Sequence, residues 1–173
     1  MSYFQDISDF HNNNDWLAII PAVLLVEILC LYIYPNYSPI LKKWYNLFTI
    51  QAGFQDVLII LIGFGIVRYL YTYFLRPRFG FNIIIFTIFF FICQVIHDLL
   101  FAFIVINVPV GKNKMIDFMK QYIKSAKFNA VLGDSTMIIG SSILASLFKN
   151  LPNHFNILLI LIGIYKVIYL VNI

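Results

Sequence analysis

QVIHDLLFAFIVINVPVGKNKMIDFMKQYIKSAKFNAVLGDSTMIIGSSILAS, residues 94–146, decides how the rest of the chain is read. It starts inside the longest apolar run of the protein, breaks at Pro109 and Gly111, passes through a lysine-rich segment and enters a second apolar run. Pro removes a helical donor and Gly accepts the left-handed backbone that ends a helix, so the two together stop the first run. Asn113 is placed to cap a new helix. Met115, Ile116, Met119, Tyr122, Ile123 and Ala126 then recur at the helical period. Lys120, Lys124 and Lys127 fall on the other side, with Lys112 and Lys114 just before. A helix over 115–127 with one apolar and one cationic face fits the plane of a membrane surface, against anionic headgroups. The stretch therefore predicts a span, an interfacial helix and a second span.

The flanks extend that reading. Of the 173 residues, 61% are hydrophobic and 12% charged, with mean hydropathy +0.86. Soluble domains carry about 25% charged residues, so the chain belongs to the membrane class. A bilayer core needs roughly 20 apolar residues per helix. Segments 16–34, 52–75, 81–108, 130–148 and 155–173 meet that length, giving five spans after a polar tail, 1–15, in which Asp15 is placed to cap the first span. The expected fold is an all-α integral membrane bundle, with 16–173 as one membrane domain. Segment 130–148 carries Ser141-x-x-x-Ala145 and Ser142-x-x-x-Ser146. Small residues let helices approach closely in lipid, which makes this span the expected centre. Arg68 reads as structural, snorkelling towards Arg76 and Arg78. The acidic start, MSYFQDISDFHNNND, lacks the basic n-region of a signal peptide.

Five spans place Lys42, Lys43, Lys112, Lys114, Lys120, Lys124 and Lys127 on one side. Arg76, Arg78, Lys149 and the acidic tail come out on the other. The positive-inside rule makes the first side cytosolic and puts the N-terminus outside or in a lumen. Glu27, Asp56, His97-Asp98 and Asp134 then come from four spans at similar depth near the lysine-rich side. Ionisable groups in a membrane raise a functional hypothesis. Gln94 shares a face with Asp98 at i and i+4, and with His97 and Ser135 it offers the acids partners. The competing reading is local: Asp56 and Asp134, about a turn inside their helices, suit N-terminal caps.

Other chemistry lacks its pattern. The sequence holds no H-E-x-x-H, P-loop or dinucleotide glycine motif. Cys30 and Cys93 make no C-x-x-C pair. No basic patch interleaved with aromatics points to nucleic acid. No enzyme, metal or cofactor is expected.

Several motifs in 94–146 carry a resemblance. They are His97-Asp98-Leu99-Leu100-Phe101, Gly111-Lys112-Asn113-Lys114, Ile116-Asp117-Phe118, Lys120-Gln121-Tyr122 and Ala130-Val131-Leu132-Gly133-Asp134-Ser135. In these the chain resembles a family of small multi-span membrane proteins from large double-stranded DNA viruses of algae and protists. The resemblance implies a virion protein of the internal membrane beneath the capsid, and no catalytic residue. The expected function is structural: linking a bilayer to an overlying protein layer such as the capsid, with anionic headgroups and membrane or capsid proteins as partners. The alternatives are a small proton- or ion-conducting protein using intramembrane carboxylates, and a subunit of an organellar membrane complex.

Overall fold

The computed structural model describes residues 3–126 and 128–171, leaving out the side chains of residues 34, 35, 126 and 128–132. Every regular element in it is helical, and the architecture is an all-α bundle. In chain order the helices are α1 (Trp16–Tyr37), α2 (Pro39–Leu70), α3 (Arg76–Phe79), α4 (Ile83–Asn107), α5 (Lys114–Ala126), α6 (Phe128–Phe148) and α7 (Asn153–Leu170). A π-helical turn, Tyr71–Leu75, joins α2 to α3.

Among the described residues, four stretches are long and apolar enough to cross a membrane: Asn13–Ile33, Pro39–Phe79, Ile83–Asn107 and Asn153–Leu170. The described apolar part of α6, Gly133–Phe148, is shorter. All 21 residues of α6, at about 1.5 Å each, still reach about 30 Å. The helices alternate in direction, leaving the bundle with a tail end and a lysine end.

Between the first two expected spans, residues 35–50 read as a loop whose second half, LKKWYNLF, suits a short interfacial helix; most of the stretch is helix. α1 continues to Tyr37, and α2 begins at Pro39, a residue suited to a first helical turn. Inside α2 the backbone breaks at Thr49, with φ 42° and ψ −123°. A β-branched residue pays a steric cost in that region, and the break reverses the chain. Tyr45 Oη lies 3.0 Å from Asp56 Oδ2, whereas eleven residues of straight helix would hold the two positions about 16 Å apart. The 39–48 segment therefore folds back over the lysine end as a short amphipathic piece. At the other end RPRFG forms one helical turn closed by Gly80 at φ 61°. Asn82 caps α4, its Oδ1 accepting from the Ile84 and Ile85 amides.

The centre of the bundle is α1 rather than α6. α1 packs on α2, α6 and α7, and its apolar window is the most buried of the candidate spans. The small residues of α6 do the expected work against it. Ser141, Ser142, Ala145 and Ser146 are fully buried, and a Cβ added at Gly140 would meet Val26 of α1 at 3.1 Å. α6 also lies against α4. α4 and α7 expose most of their surface, as outer helices do.

The tail corrects the sequence reading most. The tail, expected as a short surface segment, is docked on the bundle through residues 5–9, 12 and 15, while Tyr3, Phe10, His11, Asn13 and Asn14 stay exposed. Ile7 and Ser8 are fully buried. The Gln5 amide and carbonyl bond to the Ser146 carbonyl and hydroxyl, at 3.2 and 2.7 Å. Thr72 on the π-helical turn donates to Ser8 O and accepts from the Phe10 amide. Arg68 does not snorkel: it is wholly enclosed. Its guanidinium bonds to the Asp9 and Asn12 carbonyls and to Asp15 Oδ2 at 3.1 Å, beneath the Trp16 ring at 5.2 Å. Asp15, expected as a cap, is instead the hub of this clasp and also pairs with Lys149 at 2.5 Å. Arg76 bridges Asp6 and Asp9, both at 2.9 Å.

Candidate functional site

At the lysine end, four helices each bring one acid to the junction of α1, α2, α4 and α6. Glu27 comes from α1, Asp56 from α2, Asp98 from α4 and Asp134 from α6. Glu27 is completely buried; Asp56, Asp98 and Asp134 are half-buried. The structure thus gathers all the acids singled out in the sequence, and none acts only as a cap on its own helix.

Their partners divide into two groups. Tyr45 Oη lies between Glu27 Oε1, at 3.4 Å, and Asp56 Oδ2, at 3.0 Å. Trp44 Nε1 donates to the same Asp56 oxygen at 3.4 Å. On the other side of the junction, Gln94 Nε2 donates to Asp98 Oδ1 at 2.7 Å, and His97 Nδ1 meets that oxygen at 3.2 Å. The i, i+4 spacing of Gln94 and Asp98 produces the first of these bonds. The His97 ring is held parallel to Phe101, with centroids 6.2 Å apart, and its side chain is half exposed. The Asp98 and Asp134 carboxyls lie within hydrogen-bonding reach of each other. Ser135, next in sequence, is half-buried on α6. Among the described residues no lysine pairs with these acids.

Tyr45 and Trp44 escaped the sequence reading as partners of the acids because LKKWYNLF reads as an interfacial helix between spans, with nothing to fold it back over Asp56. The signal was present as Trp-Tyr next to Lys42-Lys43: aromatic residues with a polar handle usually find a partner when buried. The pair also roofs the site. Trp44 and Tyr45 are buried, and Trp44 stacks on Phe118 of α5 at 5.4 Å with Phe48 alongside. Phe118 is not one of the stripe positions read from the sequence, but Met115, Met119 and Tyr122 of that stripe pack against the same core, so α5 is held down on the 39–48 helix.

The cationic face of α5 points away from this roof. Asn113 caps the helix, its Oδ1 accepting from the Met115 and Ile116 amides. Lys112, Lys114 and Lys124 are exposed, as are Lys42 and Lys43 on the helix beneath. Lys120 differs, folding back to donate to the Val108 carbonyl. Lys127 lies outside the described residues.

Beside Gln94 and His97, its two polar lining residues, a cavity of about 80 Å³ opens between α2 and α4, walled mostly by apolar groups, with Ile59, Ile62, Ile66 and Phe90 among them. Towards the tail end the site meets a dry floor. One turn from Glu27 stands Val23, and one turn from Asp56 and Asp134 stand Ile60 and Ile138. Phe90 lies one turn beyond Gln94. All four are buried. Among the described residues no group of three or more His, Cys, Asp or Glu side chains is arranged to hold a metal ion. Comparison with family models, with curated proteins and with solved structures finds no match to this chain.

Proposed function

We propose that this chain is a structural integral membrane protein whose bundle holds a rigid basic platform against the layer overlying the bilayer. The observation that carries the reading is the attachment of α5. Its apolar side is pinned through Phe118 to Trp44 and Phe48, while Lys42, Lys43, Lys112, Lys114 and Lys124 remain exposed together at one end. A lone interfacial helix rolls and slides on lipid, whereas one stacked on a membrane-inserted bundle presents its charges in fixed register. Exposed apolar residues beside the lysines, Leu47 and Val110 among them, suit a surface lying at headgroup depth. The family resemblance over 94–146 is what supports naming the overlying layer a capsid. The test is to replace the five lysines by glutamine and purify native membranes. Wild-type membranes should retain a peripheral protein layer that the variant releases at unchanged expression. Retention of the same layer by both would refute the reading.

A second reading, proton or ion conduction, is favoured by the gathering of four acids. Reconstituted liposomes decide between the two. The structural reading expects no proton- or cation-dependent current, and a current abolished by Asp98→Asn would overturn it.

A further inference from the structure

The acid cluster is short of hydrogens. Asp56 is satisfied by the Trp44 N–H and the Tyr45 O–H. Tyr45 has a single proton to give, so its 3.4 Å contact with Glu27 Oε1 is a hydrogen bond only if Glu27 supplies the hydrogen. Glu27 Oε2 is buried with no partner at all. An ionised carboxylate left in that state carries a heavy desolvation cost, which a neutral carboxyl avoids. The Asp98–Asp134 contact poses the same problem. Two carboxylates have no hydrogen between them, and two like charges in a site of low polarity cannot both stay ionised. Counting donors leaves the cluster two protons short.

Among the described residues, the titratable groups around it do not make up the deficit. On α1 the other titratable neighbour is Cys30, a buried thiol. α2 presents Tyr45 and Asp56, α4 presents His97 and Asp98, and α6 presents Asp134. On α5, Asp117 accepts from the Gly111 amide and Lys120 is bound to the Val108 carbonyl. From α7 Val167, and just past its end Val171, line Gly53 beside Glu27.

We propose that the four acids form a blind proton-binding site that holds two protons, one on Glu27 and one shared by Asp98 and Asp134. Water enters by the cavity at Gln94 and His97. That volume of about 80 Å³ exceeds the roughly 30 Å³ share of one water molecule. A proton taken up at Nε2 of His97 is matched by one passed from Nδ1 to Asp98, which leaves the imidazole neutral in its other tautomer until the reverse transfer or a ring flip resets it. The floor of Val23, Ile60, Phe90 and Ile138 stops protons from passing on to the tail end. The site therefore stores protons without conducting them.

Infrared spectroscopy of the full chain in lipid vesicles tests this directly, through the carbonyl stretch of protonated carboxyl groups. At neutral pH the native protein should show two such absorptions, one lost in Glu27→Gln and the other in Asp134→Asn. Absence of any protonated-carboxyl absorption from the native protein overturns the proposal without recourse to a variant. His97→Ala, at an exposed position, should keep both absorptions but slow their shift in heavy water at least tenfold. An unslowed shift overturns the entry route. Net proton flux across the vesicle membrane overturns the closed floor.

Discussion

Asp15→Asn is the sharpest perturbation this structure offers. Asp15 and Arg68 form an ion pair whose side chains are both fully enclosed, at 3.1 Å. Removing one member of a buried pair costs about 3–5 kcal/mol, because the other charge stays behind uncompensated. Two features place this case at the lower end. Arg68 keeps the Asn12 carbonyl at 2.8 Å, the Asp9 carbonyl and the face of Trp16. Lys149, the second partner of Asp15, is 27% exposed and can hydrate. The expected loss is about 3 kcal/mol, roughly a hundredfold in the folded-to-unfolded ratio. Reversible unfolding in mixed detergent micelles, followed by tryptophan fluorescence, reads it, with Trp16 reporting from the clasp itself. The mechanism also fixes the sign of a double variant. Asp15→Asn with Arg68→Met removes the stranded charge and leaves an unbranched apolar side chain, so it should be more stable than Asp15→Asn alone. A single-variant loss under about 0.5 kcal/mol, or a double variant less stable than the single, would refute this account.

Two other expectations concern separate features. Gly63 and Gly65 should respond oppositely to alanine. A Cβ at Gly63 would meet Phe90 at 2.8 Å, and that ring is already set edge-on to Phe64, so Gly63→Ala should cost about 1–3 kcal/mol. Gly65 has only Trp16 within reach, at 3.8 Å, and Gly65→Ala should be neutral or gain up to about 1 kcal/mol from helix propensity; the same unfolding assay ranks them. The tail should also loosen in acid. The hydrogen bond from Arg76 holds the Asp9 carboxyl below its ordinary range. Its contribution is therefore complete above the unfolded value, about pH 4, and is lost as pH falls through the lower folded value. Hydrogen-exchange protection of residues 5–10, corrected for intrinsic rates, should drop in that acid window. High salt should blunt the effect because the Arg76–Asp9 pair is about one-third exposed.

Periodic features were legible in the sequence, and features made by chain reversal were not. The stripe from Met115 to Ala126 specified α5 to within a residue, because an amphipathic surface is written locally. The shared depth of Glu27, Asp56, Asp98 and Asp134 followed from alternating the direction of long apolar runs. Tyr45 did not follow, since its place depends on a backbone break at Thr49 that hydropathy does not encode. The tail was misjudged for a related reason. Polar residues next to a membrane segment read as surface unless their partners are known, and those partners lie far along the chain. One clue was available. Asp6, Asp9 and Asp15 share their side of the topology with Arg76 and Lys149, and Arg68 lies near that end of its span. α6 was ranked as the centre on its small residues alone. Those residues mark where another helix comes close, and the most enclosed helix proved to be the partner, α1.

The clasp also sets an order of events in folding. Gln5 bonds to Ser146 across 141 positions of sequence, and Lys149 reaches the Asp6 carbonyl across 143. Helices in lipid form from their own internal hydrogen bonds and need no distant partner. The tail has no such resource, because its docking site is shared between α2 and the end of α6. The tail can meet Arg68, Thr72 and Arg76 once α2 and α3 are in place, but its bonds to Ser146 and Lys149 wait for the end of α6. The clasp therefore closes in two stages, and only its completion by α6 reports that the bundle is assembled. Contacts this remote in sequence are slow to form because the intervening loop must first be closed. A label at Gln5 would consequently follow the later stage, and one at Phe10 the earlier.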